Sequence, residues 1–145
     1  MKEAGDAMAE EKQFEKKVER YLHGVGIYQA GTKKQDMIVP QTGWFTKIWG
    51  GGYQKSGIPD LILCVNGIFI SCELKASSGK ASTLQKMNTS RINLSNGIGI
   101  ILFPEGFEDF KSIVEGVIKC KYHIAELSAL KDAHTSIKCV IATRY

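Results

Sequence analysis

The sequence predicts an α/β domain whose mixed sheet is covered by helices, and three observations carry that expectation. Two apolar runs flank Asn66-Gly67, the strongest short-range signal for a β-hairpin. Phe14, Val18, Tyr21 and Leu22 recur at the spacing of one helical face before that hairpin. After it, Phe110, Ile113, Val114, Val117 and Ile118 form a second, clearer helical stripe.

The elements follow in order. The first helix is predicted over Glu10 to His23, with Gly24 and Gly26 as its stop. Ile27 to Pro40 reads as an irregular strand interrupted by Gly31-Thr32-Lys33-Lys34. Trp44 to Trp49 alternates and is aromatic enough for a strand, and its tryptophans read as core residues. Gly50-Gly51-Gly52 is expected to be a loop, because ordering consecutive glycines costs too much backbone entropy. After the hairpin, Ser82-Thr83-Leu84-Gln85 forms an S-x-x-Q capping box that opens a helix running to about Ser95, and Asn96-Gly97 stops it. Ile98 to Phe103 is predicted as a buried strand closed by Pro104, and the Phe110 stripe as the helix that covers the sheet. Ser136 to Ala142 is the candidate for a last strand.

Composition narrows the class. A chain of 145 residues with 43% hydrophobic and 23% charged residues suits one globular domain, taken here as residues 1–145. No run is long and apolar enough to predict a membrane span, and the polar N-terminus lacks the apolar core of a secretory signal. Cys64, Cys72, Cys120 and Cys139 show no C-x-x-C spacing, and the hairpin puts Cys64 and Cys72 on opposite faces. They read as buried free thiols of a cytoplasmic protein. His23, His123 and His134 have no partners at ligand spacing. The net charge of +4 is modest, but Lys75, Lys80, Lys86 and Arg91 stand without an acid between Lys75 and Pro104. Lys33, Lys34, Lys47 and Lys55 face only Asp36 over residues 31–58. Two basic blocks therefore bracket the hairpin, a distribution suited to a polyanion.

A two-residue turn fixes the hairpin register. Leu61 then faces Cys72, Leu63 faces Ile70 and Val65 faces Ile68 on one apolar face. On the other, Ile62 meets Ser71, Cys64 meets Phe69, and Asp60 meets Glu73, with Lys75 on the same side. Directly opposed carboxylates are destabilising, and such a pair at the end of an apolar hairpin calls for a cation. Mg²⁺ is the ion that paired carboxylates with room for water commonly hold.

Pro59-Asp60, followed by Glu73-Leu74-Lys75, resembles the PD-(D/E)XK nuclease signature. The form Gly57-Ile58-Pro59-Asp60-Leu61-Ile62 before Glu73-Leu74-Lys75 is similar to VRR-NUC domains and archaeal-type Holliday-junction resolvases. The resemblance covers residues 11–117 and leaves 118–145 as a C-terminal extension without a match. It implies a restriction-endonuclease-like αβββαβ core and a Mg²⁺-dependent DNA endonuclease selective for branched or junction DNA, in which Mn²⁺ can substitute. Asp60, Glu73 and the Leu74 carbonyl would bind metal, and Lys75 would act on the attacking water and the phosphoryl charge. The phrase Phe14-Glu15 places Glu15 as the helix carboxylate that completes the metal site, with Glu19 as the alternative. Gln85 occupies the place of a family glutamine that faces the active site, a role that competes with its capping role. Lone nuclease domains of this kind tend to pair, which implies a homodimer.

Lys47, Tyr53, Lys55, Ser56, Lys80, Lys86 and Arg91 are the candidate contacts to the sugar-phosphate backbone. Two alternatives remain within this resemblance: a site-specific restriction-type nuclease on the same core, and a nuclease-like DNA-binding module that does not cut. A small-molecule enzyme lacks support, since no glycine-rich phosphate motif or nucleophile elbow is present.

Overall fold

The computed structural model describes residues 2–50, 52 and 55–120. Tyr53, His123, His134, Cys139 and the strand expected over 136–142 lie outside the described residues. The chain runs α1 (Lys2–Gly24), β1 (Ile27–Gln29), β2 (Gly43–Lys47), β3 (Leu61–Val65), β4 (Ile68–Leu74), α2 (Thr83–Leu94), β5 (Ile98–Leu102) and α3 (Phe107–Lys119). The five strands form one mixed, open sheet in the order β1-β2-β3-β4-β5. β2, β3 and β4 are antiparallel neighbours, while β1 pairs parallel to β2 and β5 parallel to β4. The α/β class is as expected, with β1 added at the edge beside β2.

The hairpin has the register its turn dictates: Leu61 pairs with Cys72, Ile62 with Ser71, Leu63 with Ile70, Cys64 with Phe69 and Val65 with Ile68. Asn66 and Gly67 both take positive φ, 49° and 76°, the left-handed pair that a tight hairpin turn needs. On one face, Leu61, Leu63, Val65, Ile68, Ile70, Cys72 and Leu74 are buried with Phe45 under α1 and α3. α1 contributes Phe14, Val18 and Leu22, one helical turn apart, and α3 contributes Phe107, Phe110, Val114 and Val117. The other face carries α2 over β4 and β5 and leaves Trp44, Cys64 and Phe69 exposed side by side across β2, β3 and β4.

Several expectations are corrected. α1 begins at Lys2 rather than Glu10, because its first two turns are rich in good helix formers but carry no apolar stripe to announce them. Trp44 (42% exposed) and Trp49 (78%) are surface residues, not core. Phe45, between them in alternation with Trp44, fills the core instead. Cys64 is exposed, since it falls on the uncovered face, while Cys72 is buried. β5 is a half-buried edge strand with only Leu102 buried, and Ile113 of α3 is exposed while Phe107 takes its expected place inside. The 27–40 segment is a three-residue strand and a single 3-10 turn at Lys34–Asp36.

The hairpin turn also closes a helix. Asn66 Nδ2 donates to the carbonyls of Val117 and Ile118, both at 2.8 Å, so the turn residue caps the end of α3, where the Val117 carbonyl also accepts from Cys120 N at 3.2 Å. Asn66→Gly keeps a residue suited to positive φ but deletes both bonds. It is expected to destabilise the protein by roughly 1–2 kcal/mol in urea unfolding, the net value of two such hydrogen bonds. An unchanged midpoint would show that the cap contributes nothing.

Candidate active site

β3 begins and β4 ends at the same edge of the sheet face, and the polar residues of the hairpin gather there. The approach to β3 is gripped by α2: Asn88 Nδ2 donates to the Gly57 carbonyl at 2.7 Å. Gly57 takes φ +82°, and a Cβ there would stand 3.1 Å from the Leu84 backbone, so both conformation and space require glycine. Asp60 follows, its backbone carbonyl accepting from Ile48 N at 2.8 Å, so the pairing of β2 with β3 continues to that residue. Its carboxylate Oδ2 accepts from Leu74 N at 2.7 Å. The carboxylate thus stands in for a carbonyl at the end of the ladder, beside Glu73.

Glu73 is the one buried carboxylate among the described residues, at 4% exposure. Its Oε1 is held by Lys75 Nζ at 3.1 Å and by a short hydrogen bond from Gln85 Nε2. Its Oε2 is buried with no partner. A desolvated carboxylate oxygen left unpaired is costly, and such an atom in a native site asks for a ligand. Burial first, and then the Asp60 charge, raise the Glu73 pKa against the opposing pull of Lys75. Burial likewise raises that of Asp60, opposed by the Leu74 N–H and Lys75.

Gln85 does not have to choose between its two roles. Its Oε1 accepts from Ser82 N at 2.8 Å while Ser82 Oγ accepts from Gln85 N at 3.2 Å, completing the capping box of α2. Its Nε2 is the end that reaches Glu73. The two ends of one amide therefore tie the start of α2 to the carboxylate pair.

α1 presents Glu11, Glu15 and Glu19 as a half-buried stripe, four residues apart, beside its apolar face. Glu15 and Glu19 converge on Lys47 of β2, Glu15 in a short ion pair and Glu19 at 3.1 Å. Although burial opposes it, the two carboxylates raise the Lys47 pKa. Lys47 is thus committed to α1 and is not a free phosphate contact, which corrects its assignment to the DNA surface. Glu15 is tied up in the same pair, though its charge still acts on Asp60. Glu11 is the helix carboxylate that sequence reasoning missed. Burial raises its pKa, the Lys75 charge lowers it, Asp60 raises it, and the Ala76 backbone donates to it. The i, i+4 spacing from Glu15 was the signal that could have found it. Next to it, Glu10 Oε1 accepts from Ser77 Oγ at 2.6 Å and from Ser77 N at 3.2 Å, holding the loop after β4 against α1.

The described residues contain no set of three His, Cys, Asp or Glu side chains placed as metal ligands. What stands here is a pair, Asp60 and Glu73, with Glu11 within electrostatic reach. Leu74 is buried, its N–H given to Asp60. Lys55, Ser56, Lys80, Lys86 and Arg91 are exposed, and Arg91 lines an apolar groove with Ile58, Pro59, Ile62, Phe69 and Ile92. No family model matches the sequence, and no curated protein or solved structure matches it either.

Two stability effects follow. Raised carboxyl pKa values mean that the folded state binds protons more tightly than the unfolded chain. The carboxylates of Asp60, Glu73 and Glu11 therefore cost stability once the pH exceeds their folded pKa values, and the cost is relieved as pH falls toward the ordinary carboxylate range. The melting temperature in EDTA should rise on acidification from pH 8 toward pH 5, and Asp60→Asn should flatten that rise. Asn retains an oxygen to accept the Leu74 N–H while removing the charge opposed to Glu73. Asp60→Asn is accordingly expected to stabilise the metal-free protein by roughly 0.2–1 kcal/mol. A destabilised variant would mean that charge on Asp60 strengthens its hydrogen bond more than it repels Glu73.

Proposed function

We propose that this protein is a metal-dependent nuclease that hydrolyses phosphodiester bonds in DNA. The observation that carries the reading is the buried, unpartnered Oε2 of Glu73 beside Asp60, with Lys75 Nζ 3.1 Å from the other Glu73 oxygen. A hard divalent cation suits that oxygen, since it binds carboxylate and carbonyl oxygens. Asp60 and Glu73 would hold it, joined through the PD-(D/E)XK resemblance by the Leu74 carbonyl, with Glu11 the helix carboxylate facing Lys75 and Asp60. A Mg²⁺ or Mn²⁺ held there would supply Lewis-acid polarisation of the scissile phosphate and a more acidic bound water.

The remaining tasks fall to side chains. Lys75 offers a positive charge where negative charge develops on the phosphoryl oxygens and a donor that orients the attacking water. Gln85 fixes the Glu73 carboxylate, so the geometry is set before substrate arrives. Lys47 neutralises Glu15 and Glu19, which limits the negative field that α1 would otherwise turn toward a polyanion. Lys55, Lys80, Lys86 and Arg91 supply sequence-independent attraction for the phosphate backbone. Branched or junction DNA is the substrate class, and a homodimer the assembly, that the resemblance favours; light scattering at working concentration tests the latter.

Lys75→Ala and Asp60→Asn are each expected to abolish cleavage of labelled DNA in Mg²⁺ while leaving binding in EDTA within a few-fold, because they act on the transition state and not on the basic surface. Near-normal cutting by either variant would remove that residue from the mechanism. Glu11→Gln should lower cleavage more than Glu15→Gln, and the reverse order would return the helix role to Glu15. Millimolar Mg²⁺ or Mn²⁺ should raise the melting temperature of the wild type and leave Asp60→Asn nearly unmoved.

A further inference from the structure

Trp49 is unexplained by packing. Its side chain is 78% exposed, although it follows a strand whose Phe45 is fully buried. One side of the indole is met by Lys47 Nζ, 4.9 Å from the ring centre, and Lys47 is anchored by Glu15 and Glu19. That contact favours a defined ring position through cation–π attraction while the exposure leaves ring surface open. The indole also has a defined address. Its neighbours Ile48 and Gly50 line a mainly polar cavity of about 210 Å³ with Lys55, Ser56, Gly57, Ile58 and Asp60. Ile48 N is bonded to the carbonyl of Asp60, so the Trp49 backbone follows directly on the strand position paired with Asp60.

An anchored aromatic plane, an adjoining polar cavity with an exposed lysine and serine, and a carboxylate site beyond them match one chemistry. A nucleobase has a π-face of its own and carries a phosphate on its sugar; a duplex keeps that face stacked inside. We propose that Trp49 is a stacking platform for an unpaired nucleobase of the DNA strand, next to the nucleotide whose phosphate lies at Asp60 and Glu73, with Lys55 and Ser56 taking the intervening backbone. The inference rests on the nuclease reading and adds to it a preference for a strand with a base out of the stack.

The chain has two tryptophans, so Trp44→Phe leaves Trp49 as the sole indole reporter. In metal-free buffer, a short single-stranded oligonucleotide should quench its fluorescence on binding. A strand of the same length made wholly of abasic sites should bind without comparable quenching, and blunt duplex should quench less than the single strand. Trp49→Ala should weaken single-strand binding about tenfold or more, whereas Trp49→Phe should recover most of the loss, since stacking needs only an aromatic ring. Trp49→Ala should leave blunt-duplex binding within twofold. Equal quenching by abasic and natural strands, or single-strand affinity unchanged in Trp49→Ala, would overturn the proposal. The readouts do not depend on cleavage: base-dependent quenching without any cutting in Mg²⁺ would reject the nuclease reading and leave the platform standing. Cutting without base-dependent quenching would do the opposite.

Discussion

The constraint on which the site depends is the register of the β3–β4 hairpin. A two-residue turn allows no slip, so the pairing that buries Leu61, Leu63 and Ile70 also brings Asp60 against Glu73 at the far end. Burial pushes both carboxylates toward protonation, and the Asp60 charge adds to that push on Glu73. The surrounding polar contacts answer that imbalance in part: the Leu74 N–H on Asp60, and Lys75 and Gln85 on one oxygen of Glu73. The remaining Glu73 oxygen is left unanswered by protein atoms.

The helices serve the hairpin in different ways. α1 and α3 cover the apolar face with Phe14, Val18, Leu22, Phe110 and Val114, and the Asn66 side chain locks the end of α3 to the turn. α2 buries none of its own residues. Its hold on the sheet is polar, through Gln85 to Glu73, Asn88 to Gly57 and the Gly99 N–H of β5 to Asn93, so its position is coupled to both the site and the sheet edge. α1 does both jobs at once. Its apolar stripe is core, and the neighbouring Glu11, Glu15 and Glu19 stripe runs past the site, with Lys47 absorbing the two carboxylates furthest along the helix.

That division gives the two sheet faces different characters. The covered face is dry and close-packed around Leu63, Ile70 and Phe45. The other leaves Trp44, Cys64 and Phe69 in the open, and the loop after β2 leaves Trp49 more exposed still. A contiguous apolar patch left uncovered marks a candidate contact surface. At Trp49 the neighbouring lysine, serine and carboxylate restrict what that partner can be.

By itself the sequence determined what depends on local rules. The Asn66-Gly67 turn set the hairpin register, strand alternation placed Asp60, Glu73 and Lys75 on one side, and Ser82 with Gln85 opened α2, because each is fixed by residues a few positions apart. Tertiary structure decided everything that depends on which face is covered and which charge finds a partner. Trp44 and Cys64 alternate like core residues but fall on the uncovered face, and Phe107 is buried while Ile113 is not. Lys47 reads as a free cation until α1 lies beside β2, and the same docking separates Glu15, which it pairs, from Glu11, which it turns toward Lys75 and Asp60. Helical periodicity marks all three glutamates as neighbours on one stripe. Only the angle and height at which the helix crosses the sheet assign them different partners, and that crossing is set by side chains contributed from α1, α3 and all five strands together.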